Sequence, residues 1–143
     1  IKGRRFEQTI LAESNTLRGV ELMLATFARK NHGPVTLVLI DNSGQTVASE
    51  VIMMENLADN TYAWFDFRRV KIIKNQQYTL RLTCDECTQD NAITWWAIKQ
   101  EFEAPVFLLT RFGPGAGDRY AKGKAYVDGA NVGGAYAFRL YFQ

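Results

Sequence analysis

The feature that most constrains the fold is an alternation of apolar and polar residues with a period of two, which recurs in short runs along the chain. The clearest run is 78–83, where Tyr78, Leu80 and Leu82 alternate with threonine and arginine. Runs with helical periodicity are almost absent, and clusters of Gly, Asn and Asp separate the alternating runs. Alternation of this kind is typical of strands that bury one face. The pattern therefore predicts an all-β protein.

The positions of these runs predict eight or nine strands. The predicted strands cover residues 17–27, 34–41, 46–52, 62–67, 78–83, 92–98, 106–111 and 136–142, with at most one more near 124–127. Asp41-Asn42-Ser43-Gly44 predicts a tight turn, residues 55–58 are compatible with one helical turn, and the glycine-rich stretches predict long loops. Strands of this number and length favour a jelly-roll-like sandwich of two antiparallel sheets over an up-and-down barrel.

Length and composition indicate one globular domain. A chain of 143 residues is long enough to bury a core, and 47% hydrophobic and 22% charged residues are ordinary values for a globular protein. Because the chain begins at Ile1, we expect 1–143 to be a single domain of a processed or larger protein. The net charge of +2 comes from scattered charges, which argues against a nucleic-acid partner. No run of 18 apolar residues is present, so we expect any membrane attachment to lie outside this chain.

Several segments carry a resemblance to a known family. They are Phe6, LRGVEL at 17–22, GPVTLVLID at 33–41 with Gly44, WFDF at 64–67, QYTLRL at 77–82, YAKGKAY at 120–126 and AFRLY at 137–141. In this order they resemble bacterial galactose-binding-like jelly-roll modules. The resemblance implies an extracytoplasmic domain, in the periplasm or at the cell surface, of the kind attached to surface enzymes or to proteins of envelope polysaccharide metabolism. Carbohydrate binding is frequent among such modules, but a fold alone does not establish it.

Cys84 and Cys87 stand in a loop between two predicted strands, and three interpretations are open. They could form a disulfide bond that closes the hairpin, which suits an oxidising compartment. They could be half of a zinc site, although there is no second CxxC motif and the single histidine, His32, is distant in sequence. They could be a redox pair, although such a pair requires the start of a helix. The disulfide is the interpretation consistent with the resemblance.

Trp64 and Trp96 are the candidate ligand-binding aromatic residues, because sugar rings stack on flat, exposed aromatic side chains. Trp95 has the strand parity of Ile93 and Ala97 and is expected in the core, whereas Trp96 and Trp64 share parity with polar neighbours. The alternative for both candidates is burial beneath a loop or the neighbouring sheet.

A second set of candidates lies in the glycine-rich C-terminal third. Asp118, Arg119 and Tyr120 combine an acid, a base and a phenol that could orient sugar hydroxyl groups, and Tyr126 follows shortly after. The alternative for this set is an ordinary solvated loop, because Gly and Asp are common turn residues.

No sequence motif indicates catalysis. His32 lies in a polar turn, and the chain contains no nucleophile elbow, HExxH motif, phosphate-binding loop or dinucleotide fingerprint. We therefore expect a protein that is not an enzyme, with a glycosidase carboxylate pair as the remaining catalytic alternative. We expect no cofactor. A structural calcium ion is compatible with a jelly-roll module, but no spacing of carboxylates assigns ligands to it.

Two functional hypotheses follow. The first is a non-catalytic module that recognises envelope or extracellular glycans. The second is a protein-interaction or scaffolding ectodomain of a larger membrane or secreted protein. The first predicts that Trp64, Trp96, Tyr120 and Tyr126 converge on one groove, and the second predicts a contiguous apolar patch. The sequence predicts neither the ligand nor the oligomeric state.

Overall fold

The chain forms a sandwich of two antiparallel sheets, as a computed structural model describes it for residues 5–27, 30–88, 91–99, 123–131 and 134–142. The strands in these residues are β1 (Arg5–Leu11), β2 (Thr16–Ala25), β3 (Pro34–Ile40), β4 (Thr46–Met53), β5 (Thr61–Lys71), β6 (Gln77–Thr83), β7 (Thr94–Trp95), β8 (Ala97–Lys99), β9 (Ala125–Val127), β10 (Ala130–Asn131), β11 (Gly134–Tyr136) and β12 (Phe138–Phe142). A single 3₁₀ turn, Met54–Asn56, joins β4 to β5 in the described part of the chain.

The two sheets differ in size. In the part of the chain that the structure describes, the larger one has six strands in the order β10-β9-β1-β6-β3-β4. The smaller one has the order β12-β2-β5, and β7 joins it as a fourth strand by pairing with the end of β2. A short ribbon of β8 and β11 forms a separate pair. The predicted antiparallel two-sheet sandwich is confirmed, while its jelly-roll connectivity stays a prediction.

The core lies between the inward faces of the two sheets. Val35, Leu37 and Leu39 of β3 are completely buried, as the alternation along this strand requires. On β5 of the smaller sheet, Phe65 and Phe67 are buried, and the residues between and beside them face outward. The same period of two therefore determines which side chains from Trp64 to Phe67 are accessible to a ligand.

Trp95 packs in the centre of this core, as its strand parity predicts. It is 1% exposed, and its ring stacks on Tyr136 with the ring centroids 4.3 Å apart. Its indole Nε1 donates a hydrogen bond of 2.9 Å to the Ala137 carbonyl oxygen. The single polar atom of this large side chain is thus satisfied, as burial requires.

The predicted turn after β3 is confirmed. One carboxylate oxygen of Asp41 accepts hydrogen bonds from the backbone N–H groups of Ser43 and Gln45, each at 2.9 Å, and from the Ser43 hydroxyl. The Ser43 hydroxyl bond and then the Gln45 amide bond hold the pKa of Asp41 below its ordinary value. Gly44 has a φ of +90°, a conformation that favours glycine.

The predicted count of eight or nine strands is too low for the residues that the structure describes. No strand is predicted before residue 17, yet β1 pairs with both β6 and β9. The predicted strand 92–98 is split because the chain changes partners at Trp96, whose N–H donates to Met23 and whose carbonyl accepts from Ala137. The predicted strand 136–142 is interrupted at Ala137. The predicted strand 106–111 lies outside the described residues.

Candidate functional site

The outer face of the smaller sheet carries an aromatic and charged cluster, which we call the outer-face cluster. It consists of Glu21 on β2, Tyr62 and Trp64 on β5, and Arg139 and Tyr141 on β12. Glu21 lies opposite Trp64 on one side and opposite Arg139 on the other. Side chains opposite each other in antiparallel strands share a face, so this register brings the groups together.

Trp64 is the most exposed aromatic residue of the outer-face cluster. Its side chain is 40% exposed although its neighbour Phe65 is completely buried. The six-membered ring of its indole lies over Gly19 of β2, because a Cβ atom on Gly19 would be 2.6 and 2.7 Å from Cη2 and Cζ2 of Trp64. Tyr141 meets the indole edge-on, with the ring centroids 5.3 Å apart. The ring is therefore held in place from two sides while part of its surface stays accessible.

The polar members of the cluster are connected to one another. The Tyr141 hydroxyl donates a hydrogen bond to Oε1 of Glu21, and Nη1 of Arg139 lies 3.7 Å from the same oxygen. The guanidinium group of Arg139 lies 3.7 Å from the ring centre of Tyr62, within the range of a cation–π contact. The hydrogen bond to Glu21 is the main cause that raises the pKa of Tyr141. The phenol therefore remains a neutral donor at physiological pH.

Two grooves flank Trp64. One, of about 550 Å³, lies between β4 and β5 and has the exposed apolar side chains of Val51 and Met53 in its wall. The other, of about 350 Å³, is lined by Trp64, Asp66 and three arginine residues, Arg18, Arg68 and Arg69. Trp64 separates an apolar groove from a basic one, so a ligand that stacks on the indole could extend into either.

The structure places the residues predicted from the sequence in different regions. Trp64 belongs to the outer-face cluster. Trp96 is half-buried and comes directly after β7, which pairs with Leu24 and Ala25 at the end of β2. Its indole donates a hydrogen bond of 2.9 Å to Oδ1 of Asn60. Tyr126 pairs with Glu7 in the larger sheet. The expected convergence of Trp64 and Tyr126 on one groove is therefore not found. Asp118, Arg119 and Tyr120 lie outside the described residues.

Sequence reasoning missed four members of the cluster, namely Glu21, Tyr62, Arg139 and Tyr141. A signal for two of them was present, because Arg139 and Tyr141 alternate with Phe138, Leu140 and Phe142, and alternate side chains of a strand lie on opposite faces. The pairing of β12 and β5 on either side of β2 was not predictable from the separate runs. Only that pairing brings these side chains to Trp64.

The cysteines form a disulfide bond, which confirms the interpretation that the resemblance favours. The Cα atoms of Cys84 and Cys87 are 5.4 Å apart, and the two sulfur atoms lie 4.0 and 3.9 Å from Sδ of buried Met54. The bond thus joins the end of β6 to the core beside the 3₁₀ turn. Both cysteines are buried, which favours a structural role for the bond.

We expect the Cys84→Ala/Cys87→Ala variant to lose about 2 kcal/mol of unfolding free energy, the value that loop-closure entropy predicts for so short a loop. Urea denaturation of the oxidised protein and the variant would measure it. Wild-type protein unfolded in a reducing agent should match the variant. Equal midpoints with and without the reducing agent would show that the sulfurs are not bonded.

The remaining features concern metal binding, His32 and membrane-spanning helices. No group of three or more His, Cys, Asp or Glu side chains in these residues could hold a metal ion. His32 is exposed, as the sequence predicts. Within the same part of the chain, no helix is long and apolar enough to cross a membrane.

Comparison with known proteins identifies no family. No protein-family description matches the chain, and no curated protein sequence matches it. The fold supports the resemblance to galactose-binding-like modules at the level of an antiparallel two-sheet sandwich. The finer implications of the resemblance enter as proposals.

Proposed function

We propose that this domain is a non-catalytic, extracytoplasmic module that binds envelope or extracellular glycans on the outer face of its smaller sheet. The observation that carries the proposal is the partly exposed indole of Trp64, held over Gly19 and against Tyr141 beside a set of hydrogen-bonding groups. An immobilised aromatic ring loses little conformational entropy when it takes up a ligand.

The chemistry of the cluster suits a sugar. The C–H face of a pyranose ring is apolar and can stack on an indole, while its hydroxyl groups require donors and acceptors at the rim. Asp66 on β5 itself and Glu21 on the neighbouring β2 supply acceptors, and Arg139 on β12, the next strand along, supplies donors. Because the site is an open face, we expect weak binding to single sugars and stronger binding to chains that contact several parts of the face.

Two features support the extracytoplasmic part of the proposal. The disulfide between Cys84 and Cys87 is a bond that persists mainly in oxidising compartments. The resemblance of the core segments to galactose-binding-like modules implies the same location. We also propose that the domain is connected to a larger envelope protein.

The test is a titration of the oxidised domain with a panel of neutral and acidic polysaccharides, followed by tryptophan fluorescence and by NMR amide shifts. We expect saturable changes at Trp64 and its neighbours on β2 and β12. The Trp64→Ala variant should bind at least about tenfold more weakly, a loss of about 1.4 kcal/mol.

Tyr126→Ala provides the matched control, because Tyr126 is an aromatic residue on a strand of the larger sheet. Its affinity should stay within about twofold of wild type, the usual range for a residue outside the contact. Equal losses in the two variants would place the site elsewhere. The absence of binding across the panel would overturn the proposal.

A second candidate function, protein interaction, is favoured by one observation. β4 is an edge strand of the larger sheet among the described residues, and Val51 and Met53 on it are 50% and 40% exposed. An edge strand with exposed apolar side chains can pair with an added strand of another chain. Amide shifts confined to β4 upon addition of a protein partner, with none at Trp64, would favour this candidate.

A further inference from the structure

Strand β5 contains a bulge shortly after Trp64. Gly19 of β2 pairs with Asp66, but Leu17 pairs with Val70, so three residues of β5 lie opposite one residue of β2. Two of the three, Arg68 and Arg69, are consecutive and have φ values of 54° and 58°. Left-handed backbone is unfavourable for any residue with a Cβ atom, and two such residues in succession are uncommon. Glycine or asparagine would adopt this conformation more easily than arginine.

The bulge keeps its shape through Asp66. Its carboxylate oxygen Oδ1 accepts a hydrogen bond of 2.8 Å from the backbone N–H of Arg68. The irregular backbone directs both arginine side chains to the groove of about 350 Å³ that Trp64 also lines. Arg18, the β2 residue opposite the bulge, lines the same groove. β-Bulges commonly redirect side chains next to functional sites.

The charges of this groove are unbalanced. Three guanidinium groups, those of Arg18, Arg68 and Arg69, face one carboxylate, that of Asp66. In the described residues, none of these three groups forms an ion pair with a carboxylate, whereas Arg5, Arg81 and Arg139 each lie within 4.0 Å of a glutamate. The arrangement concentrates positive charge beside the exposed indole in a chain whose net charge is only +2.

We propose that this groove binds an anionic group carried by a sugar whose ring stacks on Trp64, so that the domain is specific for acidic glycans. The inference rests on the proposed function and specifies its ligand class. Guanidinium groups present two parallel N–H donors that match carboxylate, sulfate and phosphate oxygens. The indole recognises the sugar ring and the arginines recognise its charge. Asp66 fixes the bulge and limits the net positive charge of the groove.

The test compares two matched pairs of probes on the oxidised domain: oligogalacturonate with its methyl ester, and dextran sulfate with dextran. We expect the acidic member of at least one pair to bind at least about tenfold more tightly, the effect of one additional charge-assisted contact. The first pair reports a carboxylate and the second a sulfate. The preference should weaken as salt is added, because the groove is open to solvent.

Two variants assign that preference to the groove. Arg18→Gln/Arg69→Gln should remove it and leave binding of the neutral member unchanged. Arg68→Gly/Arg69→Gly should do the same, and this variant should fold, since glycine accepts left-handed backbone. Lys124→Gln and the double variant Lys124→Gln/Lys74→Gln change charge at exposed positions outside the groove and should keep the preference.

The outcomes separate this inference from the proposed function. Equal binding of acidic and neutral probes that still requires Trp64 would overturn the inference alone. A preference that the lysine variants reduce as much as the arginine variants would also overturn it, because total charge would then be the cause. No binding of any probe would overturn both proposals.

Discussion

The Trp95→Ala variant is expected to lose about 3–5 kcal/mol of unfolding free energy, the largest stability effect that we predict for a single side chain. Trp95 is 1% exposed, so its removal leaves a cavity that the surrounding sheets cannot fill. It also removes the stacked contact with Tyr136 and leaves the Ala137 carbonyl without its indole donor. Many domains of this size have a total stability not much larger than this loss. Urea denaturation followed by far-UV circular dichroism would measure it.

The adjacent tryptophan provides the control. Trp96 is half-buried, and its indole donates to Oδ1 of Asn60, the residue before β5. Replacing it with alanine should cost about 1–2 kcal/mol, from one hydrogen bond and partial packing. Equal losses at the two positions would contradict the inward and outward assignment that the alternation along this segment predicts.

The extent to which the sequence predicted the fold depended on how each strand meets its neighbours. Strands with a clean alternation, such as β6, and the turn at Asp41 were predicted because local rules determine them. β1 was missed because Gln8, a polar residue, occupies a core position on it. The Gln8 side chain is completely buried and its Oε1 accepts the N–H of Tyr136 at 2.9 Å. A buried amide that is satisfied by a distant strand has no signature in a local pattern.

The hairpin of β9 and β10 was a different kind of error. Asp128 and Gly129 form its two-residue turn, with φ values of 51° and 88°. Asp-Gly is a strong local signal for such a turn, but the surrounding glycines led to the prediction of a long loop with at most one strand. The information was present in this case, and the interpretation of it was wrong.

The candidate site was less predictable than the fold. The alternation on β5 identified Trp64 as an outward residue, which the structure confirms. Its partners come from strands far apart in sequence, since Gly19 and Tyr141 are separated by most of the chain. Nor does any local pattern predict a bulge at Arg68 and Arg69, because arginine disfavours the backbone conformation found there. Cross-strand register and strained backbone are therefore the two features that only the structure supplied.

Gly19 connects the stability of the domain with the geometry of its site, and we expect Gly19→Ala to impair both. The added Cβ would lie 2.6 Å from Cη2 of Trp64 and would also overlap the backbone carbonyl oxygen of Phe65. Because a backbone atom of a central strand pair cannot move as freely as a side chain, we expect a loss of about 2–3 kcal/mol. The indole must also leave its position over β2, so glycan binding should decrease together with stability.

Gly44→Ala is the matched control, since a Cβ on Gly44 meets no atom within 4 Å although its φ is +90°. Its cost should be about 1 kcal/mol from backbone strain alone, with glycan binding unchanged. A double-mutant cycle then isolates the contact with the indole. In a Trp64→Ala background, Gly19→Ala should cost about 1 kcal/mol less than in the wild type, because one of the two overlaps is gone. Strictly additive effects would show that the indole does not lie over Gly19, and the outer-face cluster would lose its support as a rigid binding platform.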